Sequence, residues 1–176
     1  MSCPGAETCR LAVTHSRGLC QLLEAHVRAH PELAAQAPDL DLKVSGCPNG
    51  CGQHHVASIG FQGSARKVGD QAVPQYFVQI GGGLTPDGAR FGRLAAKIPG
   101  RRVAEALDRL VALYAAGRRP GEGAPAFFAR VEVAEVKRAL ADLEQVTPEG
   151  LRPDDLIDLG ESVPFWTDTM EGECAV

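Results

Sequence analysis

Four of the six cysteines in this chain of 176 residues fall into two pairs whose types and spacing could bind a metal. Cys3 and Cys9 are separated by five residues, Cys47 and Cys51 by three, and 37 residues lie between the pairs. Each pair sits in a loop with proline directly after its first cysteine, in Cys3-Pro4-Gly5 and Cys47-Pro48-Asn49-Gly50. Backbone kinked by proline and glycine can aim two sulfurs inward while amide N–H groups turn toward the same space. Four thiolates suit either a tetrahedral zinc ion or a cubane iron–sulfur cluster. Structural zinc pairs usually sit about two to four residues apart, so the five-residue gap is wide for gripping one ion. A cubane is larger and can draw its ligands from wider loops, and the spacing favours it.

The bulk composition sets the compartment and partners. A 44% hydrophobic and 23% charged composition is that of a globular protein, and 176 residues allow one ordinary domain. The formal net charge of −4 disfavours nucleic acid or an anionic membrane as the main partner. No run approaches the roughly 18 apolar residues of a membrane span. The opening MSCPGAETCR lacks the charged-then-apolar order of a signal peptide. A cytoplasmic protein is expected, and there paired cysteines serve as metal ligands or redox groups more often than as disulfides.

The elements that must position the two loops can be read from periodicity. Leu19, Leu22, Leu23 and Val27 recur at helical spacing, which predicts a helix from Thr14 to His30 stopped by Pro31. Leu40, Leu42 and Val44 alternate with Asp41 and Lys43, which predicts a short strand running into the second cysteine loop. Val56–Phe61 and Tyr76–Ile80 read as two more strands, separated by the polar stretch Gly63–Pro74. Gly81–Gly83 and Pro86-Asp87-Gly88 read as a turn-rich connection. After Pro99, Val103, Leu107, Leu110, Val111 and Tyr114 fall on one helix face that ends near Gly117 and Pro120. A turn at Phe127–Val131 and a helix over Val133–Leu143 follow, then a proline-spotted acidic tail beyond Thr147, laid on the surface through Phe165 and Trp166. The expected class is α+β, a mixed sheet flanked by helices.

The stretch CPGAETCRLA, then a helix, then SGCPNGCGQHHVASIGFQG, resembles the C-terminal part of the sirohaem-dependent nitrite and sulfite reductases. The likeness continues through VPQYFVQIGGG and IPGRRVAEALDRL to GECA at Gly172–Ala175. It implies a sirohaem and 4Fe-4S domain over 1–146, equivalent to one C-terminal half-domain of that fold, with an irregular acidic tail over 147–176. It further implies that Cys3, Cys9, Cys47 and Cys51 hold a 4Fe-4S cluster, and that Cys51 is also the bridging thiolate to the sirohaem iron. Asn49 and Gly50 amides would donate to the sulfurs. The implied reaction is six-electron reduction of nitrite to ammonia or sulfite to sulfide. Its electrons would come from a ferredoxin or a nicotinamide-linked flavoprotein. The competing reading is a non-catalytic iron–sulfur or zinc-binding domain.

In that family the groups gripping the anionic substrate come largely from an N-terminal half, and this chain starts two residues before Cys3. A fragment, or a small subunit completed by a separate chain, is therefore expected. Lys43, Arg66, Lys67, Arg90 and Arg93 are candidate partners for sirohaem carboxylates, with solvated side chains the ordinary alternative. His54 and His55 read as supporting groups beside Cys51 rather than catalysts. Cys20 reads as a small buried hydrophobe, and Cys174 as free and mobile. Gly81–Gly83 lacks the context of a phosphate loop, leaving a plain turn or close approach to a planar cofactor. The arginine pairs at 101–102 and 118–119 read as solvated or helix-end charges.

Overall fold

The computed structural model describes residues 1–86 and 88–166. Strand β1, Leu42–Ser45, is where the alternation places it, and it lies parallel to β2, Ile59–Val68. β2 and β3, Gln71–Ile80, pair antiparallel from Ile59–Ile80 to Val68–Gln71. The stretch Gly63–Pro74 is therefore most of a long hairpin rather than a connection, with its turn at Gly69 in the left-handed region. Only one hairpin face packs in the core, through Ile59, Phe61, Tyr76, Val78 and Ile80. The other carries Gln62, Ser64, Arg66 and Gln79, which hid the strands. Pro74 lies one residue beyond the β3–β6 pairing, so its missing N–H breaks no bond there.

A short ribbon of β4, Gly83–Thr85, and β5, Gly88–Arg90, fills the glycine-rich connection. Strand β6, Arg93–Pro99, then joins β3 and completes the sheet order β1-β2-β3-β6. Its centre is Ala95-Ala96, weak strand formers that gave no sequence signal. Their burial supplies the stabilisation that propensity lacks.

Helix α1, Ser16–Ala29, buries Leu19 and Leu23 as its period predicts. Pro31 stops it but also opens the six-residue α2, Pro31–Gln36, where a missing N–H costs nothing. Helix α3, Val103–Gly117, buries all five residues of its predicted face. The expected turn at Phe127–Val131 is instead part of helix α4, Ala124–Arg130, with proline in its first turn and Phe127 and Phe128 buried. The Arg93 guanidinium donates to the carbonyls of Phe128, Ala129 and Val131, satisfying groups that α4 leaves open at its end. Helix α5, Val133–Leu140, is shorter than its pattern suggested. Residues from α1, α3, α4, α5 and the sheet share one core, which is the expected α+β class.

The tail is anchored rather than simply laid on the surface. Among its described residues the one regular piece is a 3-10 turn, Pro153–Leu156, and Asp155, Asp158 and Leu159 are buried. Arg102 corrects the reading of its pair as solvated charge. It is 3% exposed and donates to Asp155 and to the carbonyls of Leu143, Gln145 and Gly150. Arg101 donates to the Ile157 and Asp158 carbonyls. Phe165 is half-buried and Trp166 exposed; Cys174 and the GECA ending lie outside the described residues.

Asp158 accepts the N–H groups of His15 and Leu159 and faces the His15 ring. Burial pushes its carboxyl above the ordinary 3.8, opposed by those amides and the ring and assisted by Glu7. A carboxyl raised in the folded state keeps its proton to higher pH than in the unfolded chain. Its contribution to stability is therefore complete at low pH and withdrawn as pH rises through the folded value. The melting temperature of the wild type relative to Asp158→Asn is expected to fall as pH rises above about 4. A constant difference in thermal unfolding would contradict this.

Candidate metal centre

The first cysteine loop is carried to the second by main-chain pairing. The Met1 amine donates to the Leu42 carbonyl, Val44 N–H to Met1, and Cys3 N–H to Val44 at 3.1 Å, so the first residues run beside β1. The chain then folds back through Ala6 N–H to the Thr14 carbonyl and Cys9 N–H to Gly5. Val13 and Thr14 N–H groups both donate to the Gly46 carbonyl, 2.8 and 3.0 Å away. Gly46 immediately precedes Cys47, and its own N–H donates to Cys3 Sγ at 3.2 Å. Loops separated by 37 residues in sequence therefore meet directly.

Glycines make that approach possible. A Cβ on Gly63 would stand 2.1 Å from Thr14 Oγ1 and 2.4 Å from the Gly46 carbonyl. Gly5 holds a left-handed φ of 68° where a side chain would strike Ser16. The Ser16 hydroxyl, at the start of α1, donates to the Cys3 carbonyl at 2.9 Å and lies 3.2 Å from its sulfur. The positive end of the α1 dipole thus faces the loop, and no acidic residue stands in its first turn. Tyr76, fully buried, braces the same loop by donating to the His15 carbonyl.

Cys3 and Cys47 are buried, Cys9 is half-buried and Cys51 is exposed, and none of them is in a disulfide. Burial pushes the Cys47 thiol up, an Asn49 amide bond pulls it down, and the nearby sulfurs of Cys3, Cys51 and Cys9 raise it further. The other three sulfurs are thus within electrostatic reach of Cys47. Among the described residues no three His, Cys, Asp or Glu side chains gather closely enough for one metal ion. A tetrahedral zinc site needs sulfurs about 3.8 Å apart. The amides of Gly46 and Asn49 aimed at cysteine sulfur are bonds of the kind that tune an iron–sulfur core. The Asn49 donor was expected from sequence; the Gly46 amide and the Ser16 hydroxyl were not, since only the meeting of the loops assigns them.

The basic candidates scatter. Lys43 pairs with Asp41 at 3.4 Å, and Arg90 donates to the Gly81 carbonyl at 2.7 Å. Both line one open cavity with Ser58, Gly82 and Ala126. Arg66 and Lys67 are exposed near the far end of the hairpin, and Arg93 is committed to α4. Gly81 and Gly82 serve close backbone packing: a Cβ would meet the Phe128 carbonyl at 2.4 Å and the Ala57 carbonyl at 2.7 Å respectively. His55 lies edge-on between His54 and Phe91, and Cys20 is half-buried on α1.

A mixed sheet whose first strand delivers one cysteine loop against another defines a two-loop cysteine site on an α+β scaffold. Residues 1–146 match the family described as Nitrite and sulphite reductase 4Fe-4S domain, and the chain belongs to it. The chain is 33% identical over 127 residues to the NADPH-type sulfite reductase hemoprotein beta-component of Methylobacterium nodulans, covering 69% of this chain and 19% of that protein. It is 31% identical over 148 residues to the ferredoxin-type sulfite reductase 1 of Mycolicibacterium paratuberculosis, covering 78% and 25%. The solved structure of the Mycobacterium tuberculosis NirA protein superposes with a TM-score of 0.63 at 28% identity, covering 77% of this chain and 26% of that one. The chain thus spans about a fifth to a quarter of the length of these relatives.

Proposed function

We propose that this chain is the cofactor-carrying part of a sirohaem-dependent nitrite or sulfite reductase. Residues 1–146 form its cluster-binding domain, and 147–176 are its tail, of which Asp155, Asp158 and Leu159 brace the domain. Cys3, Cys9, Cys47 and Cys51 would hold a 4Fe-4S cluster, and Cys51 would also be the protein's ligand toward sirohaem. The observation that carries this reading is the bond from Gly46 N–H to Cys3 Sγ, which joins the two cysteine loops. The exposure of Cys51, against the burial of Cys3 and Cys47, supports it as the sulfur that faces a second group.

When bound, the cluster and sirohaem supply electron storage and an open iron position for a small oxyanion. The chain's own residues keep the thiols oriented, donate amides to sulfur from Gly46 and Asn49, and shield Cys3 and Cys47 from water. Nitrite to ammonia and sulfite to sulfide each consume six electrons. They are supplied by an external donor of the ferredoxin or flavoprotein class. Substrate-gripping cations come from further protein, in this polypeptide or in a separate chain.

Anaerobic reconstitution with iron, sulfide and sirohaem, with and without that further protein, tests the reading. About five irons to four acid-labile sulfides, one iron belonging to sirohaem, a broad absorption shoulder in the blue and chlorin-type bands are expected. A colourless protein holding one zinc ion would overturn it.

A further inference from the structure

We propose that Ser45, His54, Gln62 and Gln79 form a polarised hydrogen-bond chain that clamps the turn after Cys51, making His54 a positioning residue and not a proton donor. The direction of every bond can be deduced. Gln79 Nε2 donates to Gln62 Oε1 at 3.3 Å, so that oxygen is an acceptor. His54 Nε2 lies 3.1 Å from the same oxygen and must carry hydrogen. In a neutral ring Nδ1 is then an acceptor, and the Ser45 hydroxyl, 2.8 Å away, donates to it. A remaining lone pair on Ser45 Oγ accepts the Gly52 N–H at 3.1 Å.

The ring's neutrality follows from its surroundings. Ser45 is fully buried and His54 is 3% exposed. Burial lowers the imidazole pKa, His55 lowers it further, and the bond to Gln62 opposes them. A second ring proton would face the Ser45 hydroxyl and force that donor to turn away, breaking the sequence of bonds.

The geometry explains why a histidine spans this gap. Ser45 and Gln62 are partners across the parallel β1–β2 ladder, and one rigid ring reaches both. At the other end, Gly52 is pressed so closely on β1 that a Cβ would lie 1.9 Å from the Val44 carbonyl. Its buried N–H has Ser45 as its partner. Removing that acceptor leaves an orphan donor one residue from Cys51. The chain therefore fixes the outward sulfur from behind, while its amide groups offer no path for protons. Its functional meaning rests on the proposed role of Cys51; the clamp itself does not.

Nitrogen-15 NMR of the apo-protein is expected to show His54 as the Nε2–H tautomer from about pH 6.5 to pH 8. Ser45→Ala and His54→Leu should speed Gly52 amide exchange about fivefold or more, with faster alkylation of Cys51. His54→Asn, whose carboxamide oxygen can replace Nδ1 as acceptor for Ser45, should restore most of the protection. After reconstitution, Ser45→Ala and His54→Leu should also lose iron to a chelator faster than the wild type. An imidazolium or Nδ1–H tautomer at neutral pH overturns the proposal, as does unchanged Gly52 exchange in a folded Ser45→Ala. If these variants do not fold, the wild-type tautomer decides alone. A wild type that takes up no cluster overturns the reductase reading, and Gly52 exchange still decides the clamp.

Discussion

Cys51→Ser is expected to abolish coupling between cluster and sirohaem and to lower nitrite or sulfite reduction more than about 100-fold. The comparison is made in the reconstituted protein assembled with the rest of the reductase. The bound reflects that losing a neighbour of a metal ligand typically costs about 10–100-fold, and Cys51 is a proposed ligand itself. A serine hydroxyl is a hard, weakly acidic donor where a soft thiolate is needed. Cys51 is also the exposed member of the set, so no packed side chain can take its place. Cys20→Ser, half-buried on α1, and Cys174→Ser should change neither the spectrum nor the rate. Optical and electron paramagnetic resonance spectra with a reduced-dye assay decide the matter. Equal losses from Cys51 and from either control would mean that the ligand set is wrong.

The second large effect concerns stability. Asp155→Ala leaves the Arg102 guanidinium buried with carbonyls but no counter-charge. Removing one partner of a buried ion pair costs about 3–5 kcal/mol. For a chain of this size that corresponds to a fall of roughly 10 °C in melting temperature. Arg102 also holds the carbonyls of Leu143, Gln145 and Gly150, so the tail should loosen together with the segment after α5. Thermal unfolding and limited proteolysis test this, with cleavage expected first after residue 146. A variant that melts within about 2 °C of wild type would show the pair to be dispensable.

Much of the scaffold could be read without coordinates, for identifiable reasons. Helices α1 and α3 were legible because an apolar stripe with period 3.6 needs a core on one side only. Strand β1 was legible by alternation. The turn end of the β2–β3 hairpin was not, because polar residues line its outer face and Gly63 interrupts the alternation where the Thr14 loop crosses it. Strand β6 failed for the opposite reason: its alanines carry little strand preference and are held by neighbours remote in sequence. Helix α4 was hidden by Pro125, which starts a helix as readily as it ends one.

The amino-acid sequence alone determined the number and pairing of the cysteines, the turn chemistry around each, and the likeness that names the family. Those are local properties, written in residue type and short spacing. Only the tertiary structure decided that the Gly46 amide reaches the Cys3 sulfur, that Arg102 is buried on Asp155, and that His54 ties β1 to β2 behind Cys51. Each of these joins groups brought together by sheet register or loop closure, and no short window of sequence contains both partners.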